Sequence, residues 1–308
     1  MRKELLFELP SAYRDSMHIY GYHFGGEEKT ACIVGATRGN EVQQLYVCSQ
    51  LVKALKEIEG QGRIAKGKGI LVIPCCNSAS INIGRRFWAM DNTDINRMFP
   101  GYDLGETTQR IAAGVFAAVQ DYAYGIQLAS FYMPGDFIPH VRLMDTGYQN
   151  TGLANLFGLP YVVVRKPRPY DTTTLNYNWQ IWNTNAFSVY TKETASIDED
   201  SAQQAVQAIL RFLTRMGILR MNIHGGYIAT TVQEEDMRVI HAACGGIYRR
   251  CGRPGDTVTA GQLLGEIIDP CEGQVLQRIT APCTGVLFFA QQNPLVMEKA
   301  ILFKMILS

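Results

Sequence analysis

The hydrophobic pattern near the start of the chain predicts two buried strands separated by a helix. Residues 31–35 (ACIVG) form a short apolar run that ends in glycine, and residues 70–74 (ILVIP) form another. Uninterrupted apolar runs of this length are typical of strands that are buried on both faces of a sheet. Between them, apolar residues recur at roughly helical spacing over 41–59, until glycines interrupt the pattern. That spacing predicts an amphipathic helix.

The same alternation of strands and helices continues as far as about residue 220. Helical spacing recurs over 107–124 and 198–213, and the segments 158–164 and 187–191 are rich in β-branched and aromatic residues. Strands that alternate with helices are typical of an α/β fold with a largely parallel sheet. We therefore predict a mixed, mostly parallel sheet flanked by helices.

The pattern changes after residue 220, where helical periodicity disappears. Short β-prone pieces follow, and glycines separate them about every ten residues, as in GDTVTAGQLLGEIID and APCTGVLFFA. Such spacing is typical of a small sandwich or barrel. We predict two domains, an α/β domain over 1–222 and a β-sandwich or barrel-like domain over 223–308.

Composition and charge narrow the class of protein. The 308 residues are 47% hydrophobic and 19% charged, which is enough apolar material for a substantial core. A net charge of +1 gives no general attraction to nucleic acid or to an anionic membrane. No apolar stretch approaches the ~20 residues that span a bilayer. Glu4 and Glu8 interrupt the N-terminal segment, which argues against a secretory signal.

The eight cysteines give the same indication of compartment. None of them forms a CxxC pair, and the neighbours Cys75 and Cys76 are poor disulfide partners. Reduced thiols are the ordinary state of cysteine in the cytosol. We therefore predict a cytoplasmic protein without disulfides, and with neither nucleic acid nor a membrane as a partner.

Several motifs occur in the order of one known family. GATRGNE at 35–41 follows a predicted strand and opens a predicted helix, and DINRMFPG occupies 94–101. PHVRL at 139–143, TKE at 191–193 and the C-terminal GDTVTAGQLLG follow. This set resembles the succinylglutamate desuccinylase/aspartoacylase family of zinc carboxypeptidase-like enzymes. The resemblance implies a carboxypeptidase-like α/β domain followed by a small all-β domain.

The resemblance also implies a chemistry, which is hydrolysis of the amide of an N-acyl amino acid. The family holds zinc through a His and a Glu three residues apart and a later His, and the metal activates a water. The matching residues are Glu41 as a zinc ligand and Glu193 as general base. Asn96 and Arg97 match the clamp for the substrate carboxylate. Either Arg85 or Arg86 matches the arginine that polarises the scissile carbonyl.

The chain departs from the family at both histidine ligands. Arg38 stands at the first, and Ala129 stands at the second, in a segment where Gln127 replaces an aspartate. Guanidinium has no lone pair to offer a metal. We therefore predict a degenerate zinc site and no cofactor. Arg38 and Glu41 are expected to pair, so that Arg38 provides a positive charge where the metal would lie.

Three functions stay open at this point. The first is a zinc-free relative that binds a small carboxylate ligand such as an N-acyl amino acid, with Arg38, Asn96, Arg97 and Arg142 as binding residues. The second is a hydrolase with a metal site rearranged around Glu41, His140 and Glu193. The third is a metal-independent hydrolase with Glu193 as base or a cysteine nucleophile. A homodimer is the default assembly for such enzymes.

Each assignment has a simpler structural alternative. Asn96 and Arg97 could form a structural contact under a loop, and Glu193 could cap a helix. Glu41 could be an acidic residue that the dipole favours at a helix start. Arg38 could form a surface salt bridge, and His140 could be a hydrogen-bonded structural residue.

Overall fold

The computed structural model describes residues 1–13 and 15–307, so Arg14 and Ser308 lie outside it. Its helices are α1 (Val42–Gly60), α2 (Ser78–Ile81), α3 (Thr107–Val119), α4 (Thr151–Asn155), α5 (Leu175–Ile181) and α6 (Glu199–Arg215). Short 3₁₀ turns cover Ile95–Arg97, Pro169–Asp171 and Glu234–Asp236. Within this description, no helix has the length and apolarity that a membrane span requires.

The strands follow the same chain order. They are β1 (Arg2–Leu9), β2 (Met17–Gly25), β3 (Glu28–Ala36), β4 (Lys68–Cys75), β5 (Tyr124–Ala129), β6 (Gly135–Phe137), β7 (His140–Met144), β8 (Tyr161–Arg165), β9 (Asn185–Tyr190), β10 (Thr230–Gln233), β11 (Arg238–His241), β12 (Gly246–Arg250), β13 (Thr257–Val258), β14 (Leu263–Ile268), β15 (Val275–Thr280), β16 (Gly285–Gln291), β17 (Leu295–Val296) and β18 (Ile301–Leu307).

The largest sheet has nine strands in the order β1-β2-β4-β3-β5-β9-β7-β8-β10. Its central strands β4, β3, β5 and β9 are parallel neighbours, and β7 and β8 form another parallel pair. The pairs β1–β2, β2–β4 and β7–β9 are antiparallel. The predicted α/β class, with a mixed and mostly parallel sheet flanked by helices, is confirmed.

Two apolar clusters cover the two faces of this sheet. Side chains of β3 alternate between them: Ile33 packs with α1 and α6, whereas Cys32 and Val34 pack with α3 and α5. Because both faces of the sheet are covered, side chains on either face of β3 are buried, and the segment ACIVG is apolar throughout rather than alternating with polar residues. The parallel strands therefore end at one buried edge, where the loops that follow β3 and β5 lie.

The chain divides into two compact units. The first contains Met1–Ser130 and Pro139–Thr231, and the second contains Phe131–Ile138 and the chain from Val232 onward. In the second unit, β11-β18-β16-β13 form one antiparallel sheet, with β6 paired to β16, and β15-β14-β12-β17 form another. Leu264, Ile267, Leu287 and Phe303 contribute to its core. The additional all-β region is confirmed, and the domain boundary after residue 222 stays a prediction.

Candidate functional site

The loop between β3 and α1 closes on the carboxylate of Glu41. Oε2 of Glu41 accepts hydrogen bonds from the backbone nitrogens of Thr37 at 2.8 Å and Arg38 at 3.0 Å. These nitrogens lie where a strand ends and a helix begins, so a nearby carboxylate satisfies donors that lack a backbone partner. Glu41 is completely buried. The turn thus holds its own acidic residue beneath it.

The side chain of Arg38 lies between two carboxylates. Its Nη1 donates to Oε1 of Glu41 at 3.1 Å, so the pair expected from the sequence is present. Its Nε donates to Oδ1 of Asp94 at 3.1 Å and its Nη2 donates to Oδ2 at 2.9 Å, which is the two-pronged contact that a planar guanidinium favours. Only 5% of Arg38 is exposed. Arg38 is therefore a buried ion-pair residue rather than part of a surface salt bridge.

Arg38, Glu41 and Asp94, called here the Arg38 group, together have a formal charge of −1. Two carboxylates, Glu41 and Asp94, face one guanidinium, Arg38. Burial lowers the pKa of Arg38, but Glu41 and Asp94 together raise it above its ordinary value. The hydroxyl of Ser130, which follows β5, donates to Oε1 of Glu41 at 2.5 Å, the oxygen that also accepts from Nη1 of Arg38. Both oxygens of Glu41 therefore already have hydrogen-bond donors.

The segment after Asp94 forms a short 3₁₀ turn that carries the expected Asn–Arg pair. Oδ1 of Asp94 caps the turn by accepting from the backbone nitrogen of Asn96 at 3.0 Å. The side chain of Asn96 is buried and accepts from Nε2 of Gln127 on β5 at 3.0 Å. Gln127 thus fixes the amide of Asn96.

Arg97 lies at the end of this turn and contacts a second buried acid. Its Nη1 lies 3.0 Å from Oδ1 of Asp171, which is 1% exposed. Arg165 pairs with the other oxygen of Asp171 at 3.0 Å. The guanidinium of Arg97 also lies over the Tyr170 ring at 5.1 Å. Arg97 and Arg165 therefore share the carboxylate of Asp171.

The neighbouring arginines 85 and 86 have different surroundings. Arg85 is exposed, whereas Arg86 is half-buried, and its backbone oxygen accepts from the nitrogen of Gly39 at 3.0 Å. Burial lowers the pKa of Arg86, and the charges of Arg38 and Arg97 lower it further, while Glu41 and Asp94 raise it. The charge of Arg86 thus interacts with the Arg38 group and with Arg97.

Glu193 follows β9, close to the start of α1. The backbone oxygen of Thr194 accepts from the nitrogen of Gln43, in the first turn of α1, at 3.1 Å. Oε2 of Glu193 accepts from the Ser196 hydroxyl at 3.2 Å. The TKE segment is therefore held beside the loop that carries Glu41.

Arg142 and His140 both lie on β7 and both contact Tyr190 of β9. Nη1 of Arg142 donates to the Tyr190 hydroxyl at 3.1 Å, and its guanidinium lies 4.4 Å from the ring centroid. The buried ring of His140 stacks on Tyr190 with a centroid separation of 4.7 Å. The PHVRL motif at 139–143 lies largely within strand β7.

Three partners of the predicted residues were not foreseen. Asp94 is the first residue of the DINRMFPG motif, but it is 56 positions from Arg38 in the sequence. No local sequence pattern around Ser130 or Asp171 indicates that they belong to the site. Among residues 1–13 and 15–307, no group of three or more His, Cys, Asp or Glu side chains has an arrangement that could hold a metal ion.

Comparison with known proteins establishes the family. The model of the succinylglutamate desuccinylase/aspartoacylase catalytic domain matches residues 27–216, which is more than half of the chain. The fold and the motifs of the site thus define a member of a group of N-acyl amino acid deacylases. The chain belongs to the succinylglutamate desuccinylase/aspartoacylase family, as the sequence motifs predict.

One named relative matches part of the chain. The N-alpha-acetyl-L-2,4-diaminobutyric acid deacetylase of Halomonas elongata is 31% identical over 148 residues, which are 45% of this chain and 41% of that protein. The match thus spans less than half of the relative's length.

Solved structures match nearly the whole fold at low identity. The product-bound ectoine utilization protein EutE of Ruegeria pomeroyi is 19% identical, with a TM-score of 0.81, and the match covers 98% of this chain and 94% of that one. A succinylglutamate desuccinylase/aspartoacylase of Rhodobacter sphaeroides is 17% identical, with a TM-score of 0.81 and coverages of 98% and 95%. The carboxypeptidase-like fold is thereby confirmed.

Proposed function

We propose that this chain is a zinc-free member of its family that binds a small carboxylate-bearing ligand, such as an N-acyl amino acid. The observation that supports this most is the buried contact of Arg38 with Glu41 and Asp94. Arg38 stands where the family loop has its first histidine, and Glu41 is the one matching ligand that remains.

The residues present do not fit a zinc ion. Catalytic zinc sites use three protein ligands and keep one position open for water. Arg38 and Ala129 have no donor atom for a metal, and both oxygens of Glu41 accept hydrogen bonds. A metal at Glu41 would have to displace the Arg38 guanidinium, which lies 3.1 Å away. A site rearranged around Glu41, His140 and Glu193 meets the same obstacle.

The ligand carboxylate is proposed to bind to Arg97 and Arg86. The Arg38 group carries excess negative charge, so Arg38 acts chiefly by neutralising Glu41 and Asp94. Arg97 shares Asp171 with Arg165, and Arg86 lies within reach of Arg38 and Arg97. Asn96, held by Gln127, offers its amide nitrogen to the ligand. Arg142, which donates to the Tyr190 hydroxyl, is proposed to belong to the same binding site.

The ligand class follows from the family and its relatives. The partial match to a deacetylase of N-acetyl diaminobutyrate and the family's association with N-acyl amino acids both favour a ligand with an acylated amine and a carboxylate. Two arginines and an asparagine suit such a ligand because guanidinium groups bind carboxylates and an amide group binds an acyl carbonyl.

A metal-independent deacylase is the second candidate. Glu193 is held beside the start of α1 through the bond from Gln43 to Thr194, so it lies near Glu41 and could act as a general base. This function needs the same bound ligand and adds turnover. Release of the amino acid in the presence of EDTA would favour the deacylase over the binding protein.

Titration calorimetry with three probes tests the proposal. The probes are N-acetyl-L-aspartate, N-succinyl-L-glutamate and N-alpha-acetyl-L-2,4-diaminobutyrate, each measured in EDTA. At least one should bind, and Arg86→Gln should weaken its binding by about ten- to a hundredfold, since a hydrogen bond to a charged group contributes about 1.5–3 kcal/mol. The neighbouring exposed Arg85→Gln is the matched control and should change affinity less than about twofold.

Two outcomes would contradict the proposal. Binding that needs added zinc would show that the metal site is intact. Equal effects of Arg85→Gln and Arg86→Gln would show that the ligand carboxylate does not bind to the proposed pair Arg86 and Arg97. Product analysis of the same samples separates binding from hydrolysis.

A further inference from the structure

Two arginines of α6 donate side-chain hydrogen bonds only to backbone carbonyl groups of the chain that the structure describes. Nε of Arg211 donates to the His224 oxygen and Nη1 to the Phe157 oxygen, both at 2.6 Å. Arg215 donates to the oxygens of Leu156 and Gly225 at 2.8 and 2.7 Å. These bonds tie the end of α6 to the loop after α4 and to the chain around residue 225.

The positive charge of this pair has no acidic partner in the described chain. Arg211 is only 7% exposed, and neither guanidinium bonds to a carboxylate among residues 1–13 and 15–307. Burial lowers the pKa of Arg211, and the neighbouring charge of Arg215 lowers it further. Buried charges are ordinarily paired, because removing them from water is costly. Arg215 is exposed, so this cost falls on Arg211, which differs in this respect from Arg38 and Arg97 with their acidic partners.

Arg211 also lines a cavity of about 380 Å³, which is within the size range of small-molecule sites. The other lining residues are Gly158, Gln204, Gln207, His224, Gly226 and Tyr227, and none of them is acidic. Nη2 of Arg211 donates to no described residue, so its hydrogens remain available. Nδ1 of His224 accepts from the nitrogen of Gly226 at 3.1 Å, which assigns the ring proton of neutral His224 to Nε2.

Two glycines let the backbone lie directly against the guanidinium. Gly158 and Gly226 have φ of +66° and +71°. A Cβ at Gly158 would lie 2.9 Å from Cδ of Arg211, and one at Gly226 would lie 2.8 Å from its Cζ. The guanidinium is therefore held in place by its two carbonyl acceptors and by close backbone contact. Such a fixed cation binds an anion without a further cost of ordering its own side chain.

We propose that this cavity binds a small oxyanion-bearing ligand, with Arg211 as the fixed cation and the His224 and glutamine side chains as further donors. The site shares no residue with the Arg38 group and does not depend on the proposed function. The oxyanion could be a phosphate or a carboxylate. Because the cavity is larger than either group alone, the whole ligand would be a small organic phosphate or carboxylate.

Inorganic phosphate and acetate are the probes that test this proposal. Each is titrated at constant ionic strength set with sodium chloride, and binding is followed by calorimetry and by the shift of the melting temperature. At least one probe should bind saturably to the wild-type protein. Saturation by phosphate alone would indicate a phosphate ligand, and saturation by acetate would indicate a carboxylate.

Two charge variants on the same helix localise the binding. Gln207→Glu adds a negative charge to the cavity wall and should weaken binding about tenfold or more, since like charges placed together repel strongly. Gln203→Glu makes the same change at a neighbouring exposed position that does not line the cavity, and it should bind like the wild type. Both positions are exposed, so neither variant should lower the melting temperature without ligand, and the carboxylate of Gln207→Glu can pair with Arg211 one turn later.

The proposal is overturned if neither probe binds saturably, in which case Arg211 and Arg215 only hold carbonyl groups. It is also overturned if Gln207→Glu binds like the wild type, because the anion would then lie elsewhere. The variant Arg86→Gln tests whether the anion binds at the site of the proposed function instead. Loss of phosphate binding in Arg86→Gln, with full binding in Gln207→Glu, would assign the anion to the site of the proposed function.

Discussion

Arg38, Glu41 and Asp94 depend on one another at the scale of single residues. A buried ion pair is stable only while every member keeps its partner, because an unpaired charge in the interior costs several kcal/mol. The sequence predicts the pair of Arg38 and Glu41, and the structure adds Asp94, whose two carboxylate oxygens both accept from Arg38. Arg38 was expected to attract anions with its positive charge. Because Glu41 and Asp94 both pair with it, that charge is fully compensated within the Arg38 group.

The thiol of Cys75 should react slowly. It lies at the end of β4, and burial raises its pKa to about 11, although a hydrogen bond from the Asn77 nitrogen opposes this. At about pH 8 only about one thiol in a thousand would be ionised, and the thiolate is the reactive form. Alkylation of Cys75 by iodoacetamide should therefore rise steadily with pH up to about 11.

Peptide mass spectrometry of the alkylated protein measures this rate. Cys271 is exposed and serves as the internal control, which should be labelled first. Preferential labelling of Cys75 near neutral pH would contradict the expectation. Such a result would favour the hypothesis of a cysteine nucleophile.

At the scale of elements, the turn between β3 and α1 needs a glycine because of space. Gly39 donates its backbone nitrogen to the oxygen of Arg86 at 3.0 Å. A Cβ at this position would lie 2.2 Å from the Arg85 oxygen and 2.4 Å from the carbonyl carbon of Ser80. Both contacts are with backbone, so neither can be relieved by rotating a side chain. The turn and the segment that carries Arg86 are thus packed against each other.

Gly39→Ala should destabilise the protein by about 1–3 kcal/mol, as overpacking of a tight site does. It should also displace Arg86 and weaken binding of the carboxylate probe. Gly60→Ala is the matched control, because a Cβ there meets nothing within 4 Å at the end of α1. Alanine favours a helix over glycine, so this variant should be neutral or slightly more stable.

Denaturant unfolding of both variants measures the difference in free energy of unfolding. Equal stability of Gly39→Ala and the wild type would contradict the packing seen at this turn. A large loss in Gly60→Ala would show that the method does not separate local crowding from general effects of alanine.

The elements that could be predicted are those with a strong local pattern. The helix expected over 41–59 is α1 and the one expected over 198–213 is α6, each within two residues of its predicted ends. The helix expected over 107–124 is wrong at its end, because it stops at Val119 and Asp121 adopts a φ of +69° before β5 begins. The hairpin of β1 and β2 was not predicted, since β1 is an edge strand with mostly exposed residues and lacks an apolar run.

At the scale of the whole molecule, fold and chemistry separate. Solved structures at 17–19% identity share the fold with TM-scores of 0.81. The sequence motifs nevertheless predict that Arg38 and Ala129 stand at the family's histidine positions. A fold is maintained by its apolar pattern, whereas a metal site depends on a few side chains. Local motifs therefore predict Glu41, Asn96 and Arg97, but contacts of distant residues such as Asp171 require the tertiary structure.

The zinc content of the protein tests the central claim most directly. Inductively coupled plasma mass spectrometry is applied to protein purified without a metal-affinity column, incubated with excess zinc and then freed of unbound metal. The wild type should contain far less than one zinc ion per chain. The double variant Arg38→His with Ala129→His places a histidine at each substituted ligand position, and it should gain about one zinc ion per chain. The variant Arg38→His alone lacks the third ligand and is the matched control, which should stay low. About one zinc ion per chain in the wild type would contradict the account and restore a metal-dependent hydrolase.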